Sequence, residues 1–428
     1  MANYFLKCDI SGIQTFIFNV PSNGAAKALK SRSVYVQMIA DDCLKKLKDF
    51  FGKSKTTELY NGGGNFYLKI TTEKSETDIQ KFIEDNIYKD RVNQDIFAFI
   101  SFVKDNGEKT DKLLSAVNLE VNKSKMQRPL SLDLLDAKPI KVDEVEIKSI
   151  KGINGQVPEG DFEWIAIKSE GDSKLAALKL DVDNLGILFR ERSEEDYKKL
   201  SEALKDFFDG KLLQLIRDLK MQQNIYVVFS GGDDCFLIGS WNKIFELTIE
   251  IRKRFSDFQI NLKTKIVSLS KDEITFSAGI VVFQPHYPML QLADEAEDAL
   301  SASKREKGKN SVTVFDKTLT WNDFEKSRKI KDTFVDLINN PDERNRESKS
   351  LLQIFRMIYP LKNELPKVWR LKYYLRRNVK SFNSETVRQI FDDYSQALLQ
   401  QHIKYKNDGN KNPDVYLVAS RWAELLLK

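Results

Sequence analysis

The feature that most constrains this 428-residue chain is a pattern that occurs twice. In each copy a short apolar run ends at an aspartate, a helical stretch follows, and two β-rich segments then flank a glycine-rich turn. The aspartate and the turn lie 54 residues apart in the first copy (Asp9 to Gly63) and 51 apart in the second (Asp181 to Gly232). Similar order at similar spacing indicates an internal duplication.

The second copy has the clearer pattern, which predicts a β-α-β-β-α-β unit. Its first strand, Leu175–Leu180, leads into the polar loop Asp181-Val182-Asp183-Asn184-Leu185-Gly186. The further predicted elements are a helix over 194–219, strands over 225–229 and 235–239, a helix over 242–258, a strand over 274–283, a helix over 290–305 and a strand over 312–315. The first six of these elements have the ferredoxin-like order, which puts acidic residues at a strand end and at the hairpin tip Gly231-Gly232-Asp233-Asp234.

The first copy is weaker, because its turn lacks acids. A strand around Phe5–Ile13 and a helix over Val34–Phe51 lead to a hairpin whose tip is Gly62-Gly63-Gly64-Asn65. Gly64 and Asn65 stand where the second copy has Asp233 and Asp234. We interpret the first copy as a degenerate form of the second.

The rest of the chain completes an α+β architecture of two ferredoxin-like units, a linker subdomain and a C-terminal helical bundle. The predicted boundaries are 1–105, 106–165, 166–322 and 323–428. Apolar periodicity and prolines in the last region predict five helices. These predicted helices span 323–338, 348–357, 367–378, 384–405 and 415–427.

Composition excludes several classes of function. The chain has only two histidines, His286 and His402, so His-clustered zinc sites and metal-dependent HD phosphohydrolases are excluded. Its three cysteines form no CxxC pair, which argues against a zinc ribbon and a disulfide framework. No apolar stretch approaches the roughly 18 residues that span a membrane, so we expect a cytoplasmic protein with no membrane partner.

The acidic residues of the second copy indicate metal chemistry. Asp181 and Asp183 leave a strand, and Asp233 and Asp234 occupy the neighbouring hairpin tip, so folding is expected to bring several carboxylates together. Two Mg²⁺ or Mn²⁺ ions held roughly 3.5–4 Å apart by such carboxylates support nucleotidyl transfer. The glycines would let a nucleotide approach the backbone. Cations to neutralise a triphosphate would come from Lys304, Arg305, Lys307 and Lys309.

Taken singly, each motif has an ordinary structural explanation. A Gly-Gly-Asp-Asp turn is usually only a turn, an Asp-x-Asp-Asn segment is usually a solvated loop, and a basic helix end complements the helix dipole. Their occurrence together, in this order and on these elements, favours function.

Together, these motifs resemble a known family, the large polymerase/cyclase subunit of type III CRISPR effector complexes, which is related to GGDEF diguanylate cyclases. The segments Asp9–Gln14 and Leu29–Ser33 resemble its first palm domain. The motifs Asp181–Asn184 and Gly231–Asp234 resemble its catalytic second palm, and Ala293–Asn310 resembles its cyclase helix. The resemblance covers nearly the whole chain.

The resemblance implies synthesis of cyclic oligoadenylate from ATP in an RNA-guided antiviral complex, with guide RNA, target RNA and other subunits as partners. It implies that Asp181, Asp233 and Asp234 are catalytic and hold two Mg²⁺ or Mn²⁺ ions, with the backbone of Val182 as a further ligand. The nucleotide-binding positions that it implies are Ser11, Gly12, Asn184, Gly186, Gly231, Gly232, Ser277, Lys304 and Lys309. Whether Lys304 or Arg305 matches the family's lysine stays open.

Two departures from the family pattern shape further expectations. Many relatives begin with an HD nuclease domain, whereas this chain starts at the first palm, so we expect no DNA cleavage. The zinc-binding cysteines often found between the palms are also missing.

Two alternative functions stay open. The same chemistry could join AMP to S-adenosylmethionine, as some relatives lacking the HD domain are thought to do. The chain could also be a non-catalytic RNA-binding scaffold, because basic and aromatic residues mix over 369–380.

Overall fold

A computed structural model describes residues 1–22, 24–88, 96–126, 160–189, 192–344, 346–360, 373, 377, 382–400 and 412–428. The strands are β1 (Ala2–Ser11), β2 (Thr56–Gly62), β3 (Asn65–Thr72), β4 (Phe97–Asp105), β5 (Leu175–Val182), β6 (Ile225–Gly231), β7 (Asp234–Ser240), β8 (Phe276–Phe283), β9 (Ser311–Val314) and β10 (Lys317–Thr320). The predicted α+β class is confirmed.

Helices connect and cover these strands. They are α1 (Ile13–Phe18), α2 (Ala25–Phe51), α3 (Glu76–Ile83), α4 (Thr110–Met126), α5 (Phe162–Ile167), α6 (Leu185–Leu188), α7 (Glu194–Lys205), α8 (Leu212–Asp218), α9 (Trp241–Lys265), α10 (Met289–Arg305), α11 (Trp321–Ile338), α12 (Ser350–Ile358), and the helices Glu385–Gln400 and Asp414–Leu426. Short 3₁₀ turns lie at Lys53–Lys55 and Val267–Leu269, and π-helical turns at Glu84–Tyr88 and Asp206–Lys211.

Each copy of the duplicated pattern forms its own sheet, and the two sheets have equivalent strand orders. The first sheet has the order β2-β3-β1-β4, and the second has β10-β9-β8-β5-β7-β6. In each, the strand that ends at the aspartate lies between the second strand of the glycine hairpin and the last strand of the ferredoxin-like unit. The second sheet is extended by β9, parallel to β8, and by β10, antiparallel to β9.

The two hairpins also agree residue by residue. Asn65 lies opposite Asp9 in the first sheet, and Asp234 lies opposite Asp181 in the second. Each hairpin carries a register shift at the same place, just before Tyr60 in β2 and just before Phe229 in β6. A shared β-bulge is a specific feature of a strand pair, so the structure supports the duplication.

The two sheets share a core. One face of each sheet, together with α1, α2, α5 and α10, forms a continuous apolar cluster. Phe18 of α1 contacts Phe236 of β7 with ring centroids 4.7 Å apart, and the Tyr226 hydroxyl of β6 donates a hydrogen bond to the Ala26 carbonyl of α2. The first copy is therefore packed against the second through its own helices.

The opposite face of the second sheet packs on α7, α8 and α9 and continues into the C-terminal helices. Trp422 of the last helix stacks on Phe324 of α11 and contacts Phe245 of α9. Within the part of the chain that the structure describes, no helix is both long and apolar enough to cross a membrane.

Several elements differ from their predicted bounds. α2 begins at Ala25, nine residues before the predicted start, because its first turns pack between the sheets with Ala25, Ala26 and Leu29 buried. The predicted helix over 194–219 is α7 and α8 joined by a π-helical turn. β10 was not predicted.

Two expectations fall largely outside the described residues. Residues 127–159 of the predicted linker lie outside the described residues. The described part of that linker includes α4, which packs on β4 and β1 of the first sheet. Of the predicted helix over 367–378 and the basic and aromatic stretch over 369–380, only Tyr373 and Arg377 are described.

Candidate active site

The candidate site lies at one end of the second sheet, where β5 and the β6–β7 hairpin meet. Asp181 of β5 lies directly opposite Asp234 of β7, so the two carboxylates leave neighbouring strands on the same face. The backbone N–H of Val182 donates to the carbonyl of Asp233 at 3.1 Å, which ties the strand end to the hairpin tip. The predicted catalytic residues Asp181, Asp233 and Asp234 are thereby brought together.

The two glycine hairpins meet tip to tip at this site. A Cβ atom built on Gly62 would lie 2.7 Å from the Cα of Gly232, and one built on Gly232 would lie 2.6 Å from the Tyr60 hydroxyl oxygen. Gly232 also has φ +71°, a left-handed conformation that favours glycine. The glycines at the two tips therefore allow the backbones to touch.

Burial and mutual repulsion dominate the electrostatics of the carboxylates. Desolvation, with the charge of Asp181, raises the pKa of Asp233 to about 6. Desolvation, with the charges of Asp233 and Asp181, raises the pKa of Asp234 to about 8. Desolvation also raises the pKa of Asp181, against the lowering effect of Lys304. Burial and the neighbouring acids therefore favour the protonated forms of Asp233 and Asp234 more strongly than the nearby lysines oppose them.

Two lysines approach the carboxylates. The Lys304 amine, near the end of α10, pairs with Asp181 at 2.5 Å, whereas Arg305 is exposed. The sequence left open whether Lys304 or Arg305 matches the family's lysine, and this geometry favours Lys304. Lys179 lies two residues before Asp181 on the same face of β5, where it is buried and pairs with Glu297 and Gln14.

Asp183 is held apart from the three predicted catalytic acids by its own hydrogen bonds, although its charge adds to the effect of burial in raising the pKa of Asp181. It is 1% exposed, and its carboxylate accepts hydrogen bonds from Thr275 Oγ1 and Ser277 Oγ, both at 2.8 Å, and from the Asn310 N–H at 3.0 Å. Ser277, expected near an adenine, is fully buried beneath the site. Asp183 instead anchors the turn after α10 to the end of β5.

The other predicted nucleotide-binding residues lie around this centre. Asn184, with φ +55°, begins the one-turn helix α6 that contains Gly186. Lys309, with φ +53°, lies beside the anchored Asn310. Ser11 ends β1, and Gly12 is the N-cap of α1.

A cavity of about 260 Å³ lies between the two copies, beside Asp234. The first copy contributes α1, α2 and the Gly62–Gly64 tip, and the second contributes Lys179, Gly231 and the turn after α7. Its polar wall includes Gln14, Gln37, Lys179, Lys205, Asp209 and Asp234. Because both copies line it, a molecule in this cavity would contact both.

The donor set fits Mg²⁺ or Mn²⁺, which prefer oxygen ligands. In the described residues, no three His, Cys, Asp or Glu side chains are arranged as ligands of one metal ion. Mg²⁺ in proteins is usually held by one or two carboxylates and completed by substrate phosphates. Asp181, Asp233, Asp234 and the Val182 backbone remain the candidate ligands.

Sequence reasoning missed Lys179 and Tyr60. The period-2 alternation of β5 could have found Lys179, because it shares a face with Asp181. Tyr60 of β2 donates its hydroxyl to Asp233 Oδ1 at 3.2 Å across 173 residues of sequence. No local pattern predicts that contact.

Two family models match the chain, one over each copy of the duplicated unit. The profile of the second palm domain of Cas10/Cmr2 matches residues 174–313, which include the acidic site. The profile of domain B of the Csm1 subunit matches residues 2–130. The two matches cover the two copies of the duplicated unit.

Curated and solved relatives agree with these matches. The chain is 24% identical to the CRISPR system single-strand-specific deoxyribonuclease Cas10/Csm1 (subtype III-A) of Enterococcus italicus, over 90% of this chain and 63% of that relative. The chain therefore spans less than two thirds of the relative's length. Crystal structures of a Csm1-Csm4 cassette with pppApA and with cA4 superpose with TM-scores of 0.77 and 0.75, each at 18% identity over 100% of this chain and 70% of theirs. At this identity they establish a shared fold.

Proposed function

The chain belongs to the Cas10/Csm1 family, and we propose that it is a nucleotidyl transferase that joins ATP molecules into cyclic oligoadenylate. One observation carries the proposal. Asp181 and Asp234 lie side by side, with Asp233 at the adjoining tip, and Asp234 lines a cavity that both copies also line. The bound molecules of the similar Csm1-Csm4 structures support it, because pppApA is a linear adenylate and cA4 is a cyclic one.

We assign the donor ATP to the second copy. Lys304 near the end of α10 and Lys309 in the turn after it would neutralise its triphosphate, while Gly231 and Gly232 allow close approach. Asn184 and Gly186, at the start of α6 and within it, would contact the same nucleotide. The acceptor ATP would lie against the first copy, where Ser11 and Gly12 lead into the cavity wall.

The 3′-hydroxyl of the acceptor would lose its proton to water, and its oxygen would bond to the α-phosphorus of the donor. The bond from that phosphorus to the bridging oxygen would break, and pyrophosphate would leave. Bound Mg²⁺ or Mn²⁺ would supply charge stabilisation for the attacking and leaving oxygens. Asp181, Asp233 and Asp234 would hold the ions, and Lys304 would exchange its pairing with Asp181 for a pairing with phosphate. The cavity would orient both nucleotides, which converts a bimolecular encounter into a reaction within one complex.

We further propose that the chain acts inside a type III CRISPR complex, with guide RNA, target RNA and other subunits as partners. The Csm4 partner in the similar structures supports this assembly. In this assignment, residues 1–105 and 166–322 are the two palm domains, 106–165 the linker and 323–428 the C-terminal helical domain.

The test is product analysis by mass spectrometry with ATP and Mn²⁺, with and without target RNA and partner subunits. We expect cyclic oligoadenylate from the wild type and none from Asp233→Ala/Asp234→Ala. A second reaction containing S-adenosylmethionine detects transfer of AMP to that acceptor. Product that is undiminished in the double variant would overturn the assigned site, and no product from wild type in the RNA-bound complex would favour the scaffold alternative.

A further inference from the structure

The contact between Tyr60 and Asp233 joins the degenerate copy to the acidic site of the other. Tyr60 belongs to the first sheet, and its hydroxyl donates to Asp233 Oδ1 at 3.2 Å. The register places Tyr60 opposite Tyr67 and Phe229 opposite Phe236, so Phe229 is the counterpart of Tyr60 in the second sheet. The copy that lacks the acids therefore has a hydroxyl where its counterpart has only a ring.

Packing holds this hydroxyl in place. Its oxygen would lie 2.6 Å from a Cβ on Gly232 and 3.2 Å from a Cβ on Gly62, so it sits between the two glycine tips. The Tyr60 ring meets Phe189 edge-on at 6.5 Å, and Phe189 stacks on Tyr197. Phe189 directly follows α6, so Tyr60 is wedged between the acidic hairpin and the loop that follows Asp181.

Ring packing alone does not require a hydroxyl, because phenylalanine would fill the same space. A hydroxyl that bonds one carboxylate oxygen leaves the other oxygen available and limits rotation of the carboxyl group. Groups that orient a metal-ligating carboxylate in this way commonly change metal affinity about 10- to 100-fold when removed.

We propose that Tyr60 is a positioning residue, which fixes the Asp233 carboxylate for binding of the divalent cation. This inference rests on the proposed function, since it gives Asp233 the role of a metal ligand. It also gives the first copy a direct part in the chemistry of the second, beyond forming a wall of the cavity.

The test compares Tyr60→Phe with Tyr67→Phe in the full 428-residue chain. Tyr67 is the matched control, because it lies opposite Tyr60 on β3 and donates its hydroxyl to Asn118 at 3.1 Å instead of to a carboxylate of the site. We measure binding of Mn²⁺ alone by calorimetry or by the electron paramagnetic resonance of the free ion. Tyr60→Phe should raise the Kd for Mn²⁺ about tenfold or more, and Tyr67→Phe should leave it within twofold.

A double-mutant cycle tests whether the effect passes through Asp233. In an Asp233→Asn background, Tyr60→Phe should cause no further loss of Mn²⁺ affinity. A Kd for Tyr60→Phe within twofold of wild type, a full additional loss in the Asp233→Asn background, or no Mn²⁺ binding by the wild type would each overturn the proposal.

Turnover separates this proposal from the proposed function. With ATP as substrate, Tyr60→Phe should need more Mn²⁺ for half-maximal activity and recover most of the wild-type kcat at saturating Mn²⁺. If the wild type forms no nucleotide product, the proposed function fails, while the Mn²⁺ titration still tests whether Tyr60 affects metal binding. If the wild type is active and Tyr60→Phe keeps both its Mn²⁺ affinity and its Mn²⁺ dependence, only the inference about Tyr60 fails.

Discussion

The tips of the two hairpins differ in turn geometry and in charge, although their strands share a register and a bulge. The first tip has positive φ at both Gly63 and Gly64, whereas the second has it at Gly232 but not at Asp233. Asp9 of the first copy is paired with two lysines, Lys7 and Lys125, each at 2.9 Å. The second copy keeps carboxylates that repel one another, which costs stability and is typical of a functional site.

The largest expected difference between the copies is in catalysis. Asp234→Ala should lower the rate of nucleotidyl transfer by at least about 1000-fold, equivalent to about 4 kcal/mol of transition-state stabilisation. Asn65→Ala changes the residue at the same register position of the first copy and should stay within about threefold of wild type. The measurement is the initial rate of pyrophosphate release, and equal losses in both variants would contradict the distinction between the copies.

A second comparison concerns the space at the hairpin tips. Gly232→Ala adds a methyl group at φ +71° and against Tyr60, while Gly24→Ala adds one at φ +68° with nothing within 4 Å. The left-handed conformation costs about 1–2 kcal/mol in each, and overpacking adds about 1–3 kcal/mol only in Gly232→Ala. Urea denaturation should therefore show a larger loss of unfolding free energy for Gly232→Ala than for Gly24→Ala. Equal losses would mean that the hairpin tips can move apart to accommodate the methyl group without loss of stability.

Neutralising one acid in each copy should change stability in opposite directions when metal is chelated. The pKa of Asp234 is raised to about 8, so the folded protein holds this proton more tightly than the unfolded chain, and stability falls as pH rises from about 4 to about 8. Asp234→Asn removes that penalty and should stabilise the protein by about 1–3 kcal/mol at pH 8.5, since one pKa unit corresponds to about 1.4 kcal/mol.

Asp9→Asn is the counterpart in the first copy. It removes two half-buried ion pairs and should destabilise the protein by about 1 kcal/mol. Thermal unfolding in EDTA across pH 5–9 measures both variants, and Mn²⁺ should reverse the advantage of Asp234→Asn. If both variants lowered the thermal unfolding midpoint in EDTA, the carboxylates of the second copy would not be destabilising.

The smallest effect is expected from returning an acid to the first copy. Asn65→Asp places a carboxylate opposite Asp9, where like charges cost up to about 1 kcal/mol. Activity should stay within twofold of wild type, because Gly64 still occupies the position of Asp233 and Asp9 stays paired with its lysines. A gain in product would show that the first copy lacks only this one residue.

Much of the fold follows from the sequence, because strand alternation and helix periodicity are local signals. They predicted the order of elements in the second copy, and the glycine turns revealed the duplication. The early start of α2 was missed, since Ala25 and Ala26 are buried only through contacts with distant strands. Tertiary packing decided that boundary, as it often does where local propensity is weak.

The site was predicted less completely than the fold. The motif identified Asp181, Asp233 and Asp234, which the structure brings together. Asp183 shares the spacing of a strand face with Asp181, but the chain leaves the strand after Val182, and the Asp183 side chain bonds to Ser277 and Asn310 instead. That outcome depends on partners about a hundred residues away, which no local pattern reports.

The close approach of Gly62 and Gly232 has a consequence for how the two copies can diverge. A Cβ on Gly62 would lie 2.7 Å from the Cα of Gly232, and a Cβ on Gly232 would lie 2.6 Å from the Tyr60 hydroxyl oxygen, so each hairpin limits what the tip of the other can accept. No residue is smaller than glycine, so a larger side chain at position 62 has no compensating substitution at position 232. The rest of the first hairpin can lack the acids of the second, while Gly62 and Gly232 are expected to remain glycine for as long as the two tips stay in contact.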